Sequence, residues 1–247
     1  MDGRWWLDHM VKNSIAIILA RGGSRRLPNK NILKLQKKPL VAWSIEAALK
    51  SGLFKRVLVS TDSKTIQSIS KKYKADVPFL RSKAADDFSS SSLATHYALL
   101  QAEEYWQEKY DVVAQLMANC PLRDAEDIKK SFISFKKNKC VSQISCFRFG
   151  WMNPWWATKI NKKGKPTRIF PNLMNMRSQD LPNLYCPSGA LWFAKRDNFL
   201  KYKNFYMPGY RFQEMNWMSA LDIDDKDDFL MTKVCLNLKN SKKLFNK

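Results

Sequence analysis

The chain is poor in acid for its base. Of 247 residues, 22 are aspartate or glutamate against 43 lysines and arginines, a formal charge of +21 at pH 7. Cysteine and histidine are also scarce. The five cysteines are an odd count with no Cys-x-x-Cys pair. That excludes a disulfide framework and a zinc knuckle, and favours a reducing cytoplasm. The two histidines, His9 and His96, give Cys120, in Asn119-Cys120-Pro121, no evident base, which weighs against a thiol nucleophile. His96 reads as helix surface or a core contact. The longest apolar run, Ile15 to Ala20, falls far short of the ~18–20 residues that cross a bilayer. With charged residues mixed with tryptophan and no cleavage site, Met1–Ser14 does not read as a signal peptide. Met10 offers an alternative start. There are no repeats and no low-complexity linkers.

The excess of cations has two readings. Lysines spread along the chain, as in Lys136-Lys137, Lys162-Lys163 and Lys242-Lys243, are an ordinary solvated surface; collectively they also set up a field that attracts anions. A nucleic-acid backbone is one such anion, but no RNP, helix-turn-helix or zinc-finger pattern accompanies the charge.

What is present fits one soluble domain with a small appended lobe, 45% hydrophobic and 26% charged. Strand-sized apolar runs at Ile15–Ala20, Arg56–Ser60, Val77–Leu80, Asp111–Met117 and Val141–Phe147 alternate with amphipathic stretches at Pro39–Ser51, Ser63–Tyr73, Ser91–Glu108 and Asp124–Phe135. Pro39 suits a first helical turn and Gly52 a stop. The expected fold is α/β: a Rossmann-like, mostly parallel sheet with helices on both faces. After residue 147 the rhythm breaks. Residues 148–187, with Trp151, Trp155, Trp156 and several prolines, read as a β-rich insertion suited to a subunit contact. The core resumes with strands at Gly189–Ala194 and Ser219–Ile223 and a helix over Lys226–Leu236. The expected division is an extension over 1–13, a nucleotide-binding core part over 14–147, a dimerisation and substrate insertion over 148–187, and the rest of the core over 188–247.

The densest chemistry follows the first strand: Arg21-Gly22-Gly23-Ser24-Arg25-Arg26-Leu27-Pro28-Asn29-Lys30-Asn31. In an open α/β sheet, ligands bind beyond the carboxyl ends of the strands, where this loop lies. Gly22 and Gly23 let backbone amides approach phosphate, and Arg21, Arg25 and Lys30 supply positive charge. The loop lacks the Gly-Lys-Ser/Thr ending of a Walker motif. The second centre is Asp222-Ile223-Asp224. On a strand, residues i and i+2 face one side, so two carboxylates converge on a hard cation. The plainer reading is a strand end with an acidic helix cap, since Asp225, Asp227 and Asp228 follow.

The loop closely resembles the first signature of the acylneuraminate cytidylyltransferases, which activate sialic, pseudaminic, legionaminic and related acid sugars as CMP conjugates. The resemblance runs from about Ser14 to Leu236 through Val59-Ser60-Thr61-Asp62, Phe79-Leu80-Arg81-Ser82, Cys120-Pro121-Leu122-Arg123, Arg177-Ser178-Gln179-Asp180-Leu181-Pro182 and Ala220-Leu221-Asp222-Ile223-Asp224. It implies a nucleotidyltransferase-type fold and a cytoplasmic homodimer, working with a divalent cation such as Mg²⁺. Such an enzyme transfers CMP from CTP to the anomeric hydroxyl of a nine-carbon 2-keto acid sugar and releases pyrophosphate. Membrane and nucleic acid are not expected partners.

By position, the resemblance implies that Arg21, Lys30, Asp222 and Asp224 carry catalysis, the two aspartates holding the metal. Gly22, Gly23, Ser24, Arg25, Asn31, Arg81, Ser89 and Ser91 join Arg21 and Lys30 around the nucleotide, with Arg81 reading the cytosine ring. Ser89 and Ser91 are also candidates for the cap of the following helix. Asn119, Arg123, Arg177, Gln179, Tyr185 and Ser188 fall to the sugar.

Two departures concern the sugar. Met117-Ala118-Asn119-Cys120-Pro121 replaces the family's common Gln-Pro-Thr-Ser-Pro, and Cys186 stands where sialate-type members tend to carry a cation. The rival readings are another sugar nucleotidyltransferase, a metal-dependent glycosyltransferase with its own Asp-x-Asp, and a basic nucleic-acid-binding protein.

Overall fold

A computed structural model describes residues 13–86, 88–150 and 152–245. The expected extension, apart from Asn13, lies outside the described residues, as do His9, Met10 and Trp151. In chain order the elements are β1 (Ser14–Leu19), a hairpin of β2 (Lys34–Leu35) and β3 (Lys38–Pro39), α1 (Leu40–Ser51), β4 (Arg56–Ser60), α2 (Lys64–Lys72), α3 (Ser91–Trp106), β5 (Val112–Met117), α4 (Ala125–Lys137) and β6 (Ser142–Arg148). Then come β7 (Thr158–Ile160), β8 (Pro166–Arg168), β9 (Tyr185–Lys195), α5 (Arg196–Tyr202), β10 (Arg211–Glu214), α6 (Trp217–Ala220) and α7 (Lys226–Phe245).

β1 is buried along its whole length, and its alternation decides which helix packs where. Ala16, Ile18 and Ala20 meet Val41 and Ile45 of α1 and Ile128 and Phe132 of α4. Ile15, Ile17 and Leu19 turn to the other face, against Ala98 and Leu99 of α3 and Phe199 of α5. Each large apolar side chain so buried contributes about 1.5–3 kcal/mol. A third cluster, including Leu27, Leu35, Leu122, Ile223 and Leu236, fastens α7 and the small hairpin to the loops after β1 and β5.

The main sheet has the order β10-β6-β9-β5-β1-β4. β1 pairs in parallel with β4 and β5, β10 pairs in parallel with β6, and β9 is antiparallel to both β5 and β6. Five strands therefore share one direction, as expected of a mostly parallel sheet. The chain leaves β1 for β4 on one side and returns through α2 and α3 to β5 on the other. The space beyond the carboxyl ends of β1 and β5 is thus a topological switch point, where open α/β sheets bind ligands.

Local signals explain most boundaries. Gly52 closes α1 at φ 67°, a conformation glycine adopts freely. The Ser63 side chain accepts from the Ile66 N–H at the start of α2. Asp124 and Asp127 form a reciprocal capping box on α4.

The structure corrects several expectations. Val77–Leu80 is not a strand: a single bridge joins Asp76 to Leu58, and Pro78 offers no N–H to extend it. Ser219–Ile223 is not a strand either. Asn216 accepts from the Met218 N–H and starts α6, after which residues 221–224 run irregularly. Pro39 sits at the N-cap of α1 instead of inside its first turn, and α7 continues past Leu236 to Phe245. Residues 148–187 carry the β7–β8 hairpin and three single 3₁₀ turns. Here Trp155 stacks edge-on against Phe170 with ring centroids 5.0 Å apart, and its Nε1 donates to the Pro182 carbonyl at 2.9 Å. β9 already begins at Tyr185 and pairs there with Arg148, across the expected boundary.

Candidate active site

At the switch point lies a cavity of about 240 Å³. The loop after β1 supplies Arg21, Gly23, Ser24, Lys30 and Asn31; the segment between α2 and α3 brings Arg81, Asp86 and Ser89; α3 adds Ser91, and the end of β5 adds Asn119. The loop is held in shape from within and without. Asn31 donates from Nδ2 to the Arg21 carbonyl at 2.9 Å, and the Gly22 N–H donates to Asp62 Oδ1 at 2.7 Å. A Cβ on Gly22 would lie 3.0 Å from Ser63 Cβ, so glycine is needed there for close packing. Gly22 thus turns its amide toward Asp62 while Gly23 lines the cavity. Arg25 does not line it.

Arg81 is buried at 6% exposure, and its backbone N–H donates to the Thr61 carbonyl at 2.7 Å. Its Nε is buried with no hydrogen-bond partner. Burial pulls the guanidinium below its ordinary pKa, while nearby Asp62 and Asp86 favour its charge and Arg21 opposes it. An orphaned buried donor in the wall of a cavity is costly unless a ligand acceptor meets it.

Ser89 and Ser91 both reach the cavity, and neither caps α3. The cap is Ser90, whose Oγ accepts from the Leu93 N–H at 3.2 Å. Ser89 donates from Oγ to Asp86 Oδ2 at 2.7 Å. That bond, with the Phe88 and Ser89 amides, lowers the Asp86 carboxyl to about 2. Ser91 Oγ accepts from Gln115 Nε2 at 3.4 Å, and the Gln115 carbonyl oxygen accepts from Thr95 Oγ1 at 2.7 Å.

The acidic centre joins the cavity through Lys30, without a strand. Lys30 Nζ donates to Asp224 Oδ1 at 2.8 Å, and Arg26 reaches Asp224 Oδ2 at 2.6 Å. Asn119 holds this segment in place. Its Nδ2 donates to the Ile223 carbonyl at 3.0 Å, and its own carbonyl accepts from the Ile223 N–H at 2.9 Å. Partial burial alone would raise the Asp224 carboxyl, but the bonds and charges of Lys30 and Arg26 outweigh it and hold it below the usual range. Asp222 moves the opposite way. It opens to solvent on one side, yet the protein atoms around its carboxyl raise its pKa, and the charge of Asp224 adds to the effect. Among the described residues, no group of three or more His, Cys, Asp or Glu side chains is gathered to hold a metal.

Five expected sugar contacts lie outside this cavity. Arg123 is buried at 1% exposure and donates from Nη1 to the Ala190 carbonyl, which ties the loop after β5 to β9. Ser188 is buried too, and its Oγ donates to the Ala220 carbonyl at 2.8 Å. Arg177 pairs with Asp180 at 2.8 Å on the insertion. Gln179 lines a separate hollow of about 500 Å³ there, with Trp156 and Leu184. Tyr185, 43% exposed, stands at the start of β9. Cys120 is fully enclosed, and burial, with Asp222 nearby, pushes its thiol up to about 12, so it is no nucleophile. His96 is a core contact against Phe199, its Nδ1 without a partner.

Asp62, Asp86, Gln115 and Arg26 were not anticipated. Asp62 and Arg26 lay inside the quoted motifs. Gln115, a polar residue in an otherwise apolar strand, was the one local signal for its own role.

A family profile for cytidylyltransferases matches residues 15–246. A pseudaminic acid cytidylyltransferase of Campylobacter jejuni is 32% identical over 91% of this chain and 96% of its own length. A CMP-N,N'-diacetyllegionaminic acid synthase of Legionella pneumophila is 32% identical, also over 91% and 96%. An N-acylneuraminate cytidylyltransferase of Escherichia coli is 32% identical over 93% of this chain and 54% of its own length. Among solved structures, a CMP:2-keto-3-deoxy-manno-octonic acid synthetase complexed with CTP superposes with a TM-score of 0.66 at 16% identity, covering 92% of this chain and 99% of that one. A 4-diphosphocytidyl-2C-methyl-D-erythritol synthase of Anaerococcus prevotii does so at 0.63 and 11%, with the same coverage. These two share the fold. The chain belongs to the cytidylyltransferase family.

Proposed function

From that membership we propose that the chain transfers CMP from CTP to the anomeric hydroxyl of a nine-carbon 2-keto acid sugar of the sialic, pseudaminic or legionaminic type. The observation that carries the reading is the switch-point cavity, where Arg21, Lys30 and Arg81 converge and the buried Arg81 Nε lacks an acceptor. Two relatives matched over nearly their whole length and a third matched over about half of its own are named for such sugars, which supports the substrate class.

In this reading the amides and side chains around Gly23 and Ser24, with Arg21 and Lys30, hold the triphosphate, and Gly22 keeps the loop at its required distance from Asp62. Arg81 supplies donors to the cytosine carbonyl, and Ser89 and Ser91 line the base and ribose. The sugar hydroxyl attacks the α-phosphorus in line; the new O–P bond forms as the bond to the pyrophosphate oxygen breaks. Positioning and charge neutralisation provide most of the catalysis.

Asp222 and Asp224 fit a hard divalent cation such as Mg²⁺. They are neighbouring carboxylates, and the raised Asp222 is the kind of group a cation relieves. With two protein carboxylates, triphosphate oxygens and water would complete the shell, as Mg²⁺ prefers. When bound, such an ion draws charge from the phosphates. Lys30, paired to Asp224, is placed to move between that carboxylate and the phosphates. The insertion is assigned to a homodimer contact, with a partner's insertion contributing near each sugar site. The reaction is assigned to the cytoplasm. Among the described residues no helix is long and apolar enough to cross a membrane.

Pyrophosphate release tests the proposal, with CTP, ATP, GTP and UTP each offered with a panel of nine-carbon keto acids. Release confined to CTP and these acids is expected. Release with a phosphorylated sugar, or preference for another nucleotide, would overturn it.

A further inference from the structure

At the opposite pole of the sheet, beside the start of β5 and the end of β9, lies a second hollow of about 780 Å³, against about 240 Å³ for the cavity described above. The two share no lining residue. Lys109 from the loop before β5, Lys136 from the last turn of α4, Lys139 from the loop after it and Lys195 from the end of β9 line the larger hollow. A lysine in the last turn of a helix has an ordinary purpose, since it complements the helix dipole. That accounts for Lys136, but not for Lys109 and Lys195, which come from other elements.

The charge balance of this hollow is uneven. Arg196, also in its wall, is neutralised at 2.7 Å by Glu103 and at 2.7 Å by Asp197. Among the described residues, none of the four ammonium groups has a carboxylate within 4.0 Å. Lys136 is half-buried. Burial pulls its ammonium below the ordinary range, Lys195 adds to the shift, and Asp111 only partly offsets it. Lys109, Lys139 and Lys195 are exposed around the hollow, with Asp111 and Asp197 also in the wall, and like charges clustered about a hollow raise a positive potential there. Lysine ammoniums bind phosphate as point charges. The aromatic residues of the wall, Tyr110 and Phe135, are each 1% exposed, so no ring face is offered to a base.

We propose that this hollow is a binding site for a small oligophosphate, recognised by charge without a base. The site in the hollow does not rest on the proposed reaction; the second site expected at the other pole does, so a single site lost with the Lys136 and Lys195 variants would still support the hollow while counting against that reading. The probe is inorganic pyrophosphate, titrated by calorimetry into the full chain without CTP. Two sites per chain are expected, one at each pole. Lys136→Glu with Lys195→Glu should weaken one site at least about tenfold and leave the other. Lys30→Ala should do the reverse. Melting temperatures check that the variants fold, and Lys136→Gln with Lys195→Gln serves if charge reversal prevents folding. A single wild-type site abolished by Lys30→Ala would overturn the proposal. So would a second site indifferent to both lysine pairs, or a hollow that captures duplex DNA through these lysines but not pyrophosphate.

Discussion

Asp222 and Asp224 have the same side chain and opposite surroundings, and that contrast gives separable predictions. The folded-state pKa of Asp222 lies above its unfolded value. Ionising it therefore costs stability as pH rises from the unfolded value through the folded one, and the cost persists at neutral pH. Asp222→Asn should melt no lower than wild type at pH 7, with any gain gone below pH ~4. Turnover should nevertheless fall at least about tenfold, about 1.4 kcal/mol of transition-state stabilisation. Asp224 is the reverse case. Its folded pKa is depressed by Lys30 and Arg26, so its contribution is present above the unfolded pKa and is lost as pH falls through the folded one. Asp224→Asn should lose both stability and turnover; scanning calorimetry beside a pyrophosphate assay separates the pair. Arg21→Ala and Lys30→Ala should lose the protection that CTP confers, and Lys30→Ala should also melt lower because it breaks the pair with Asp224. A normal CTP-induced shift would assign them to structure instead. The expectation for the sugar rests on Cys186. A thiol standing where sialate-type relatives tend to carry a cation cannot make a charge-assisted bond, worth about 1.5–3 kcal/mol. Burial and the nearby Asp222 keep it protonated. N-acetylneuraminate should therefore show a lower kcat/KM than a pseudaminate- or legionaminate-type acid; its winning by tenfold would return the site to the sialate type.

Among the elements, α4 is the simplest to test. Asp124 accepts from the Glu126 and Asp127 amides and pairs with Lys239 of α7 at 2.7 Å. Asp124→Ala should cost about 1 kcal/mol, read as a fall of about 2–4 °C in Tm. Lys239→Met should cost less, since it leaves the cap intact. The helix was legible in the sequence, as were β1 and the glycine-containing loop after it, because each signal is local: an amphipathic stretch, a buried apolar run, a pair of glycines beside cations; that Asp124 caps the helix from outside was not. Other features depend on what packs from afar. In Phe88-Ser89-Ser90-Ser91-Ser92 any serine can cap, and the docking of α3, which buries Ser92, selects Ser90. The period-two spacing of Asp222 and Asp224 suits a strand and an extended loop equally. Asn119, more than a hundred residues earlier, is what holds the loop. Arg123 is expected at the sugar by resemblance alone, and nothing in its neighbours announces that it will be buried against β9.

For the whole molecule, the insertion leaves Ile160 73%, Ile169 44% and Met176 39% exposed, more apolar surface than such a short segment ordinarily leaves in water. Light scattering at micromolar concentration should report a dimer, and Ile160→Asp with Ile169→Asp should shift it toward monomer without lowering Tm by more than a few degrees. A wild-type monomer would remove the idea. The ion pair between Lys30 and Asp224 spans 194 positions in sequence, and this sets an order in time. Ribosomes add about 5–20 residues per second, so a nascent chain carries its phosphate loop for roughly 10–40 s before the acid that completes it is made. A chain cut short before α6 would keep the basic loop and lack both aspartates. On the proposed reading such a chain lacks the acids that pair with Lys30 and Arg26, so catalytic competence would double as a sign that synthesis ran to its last elements.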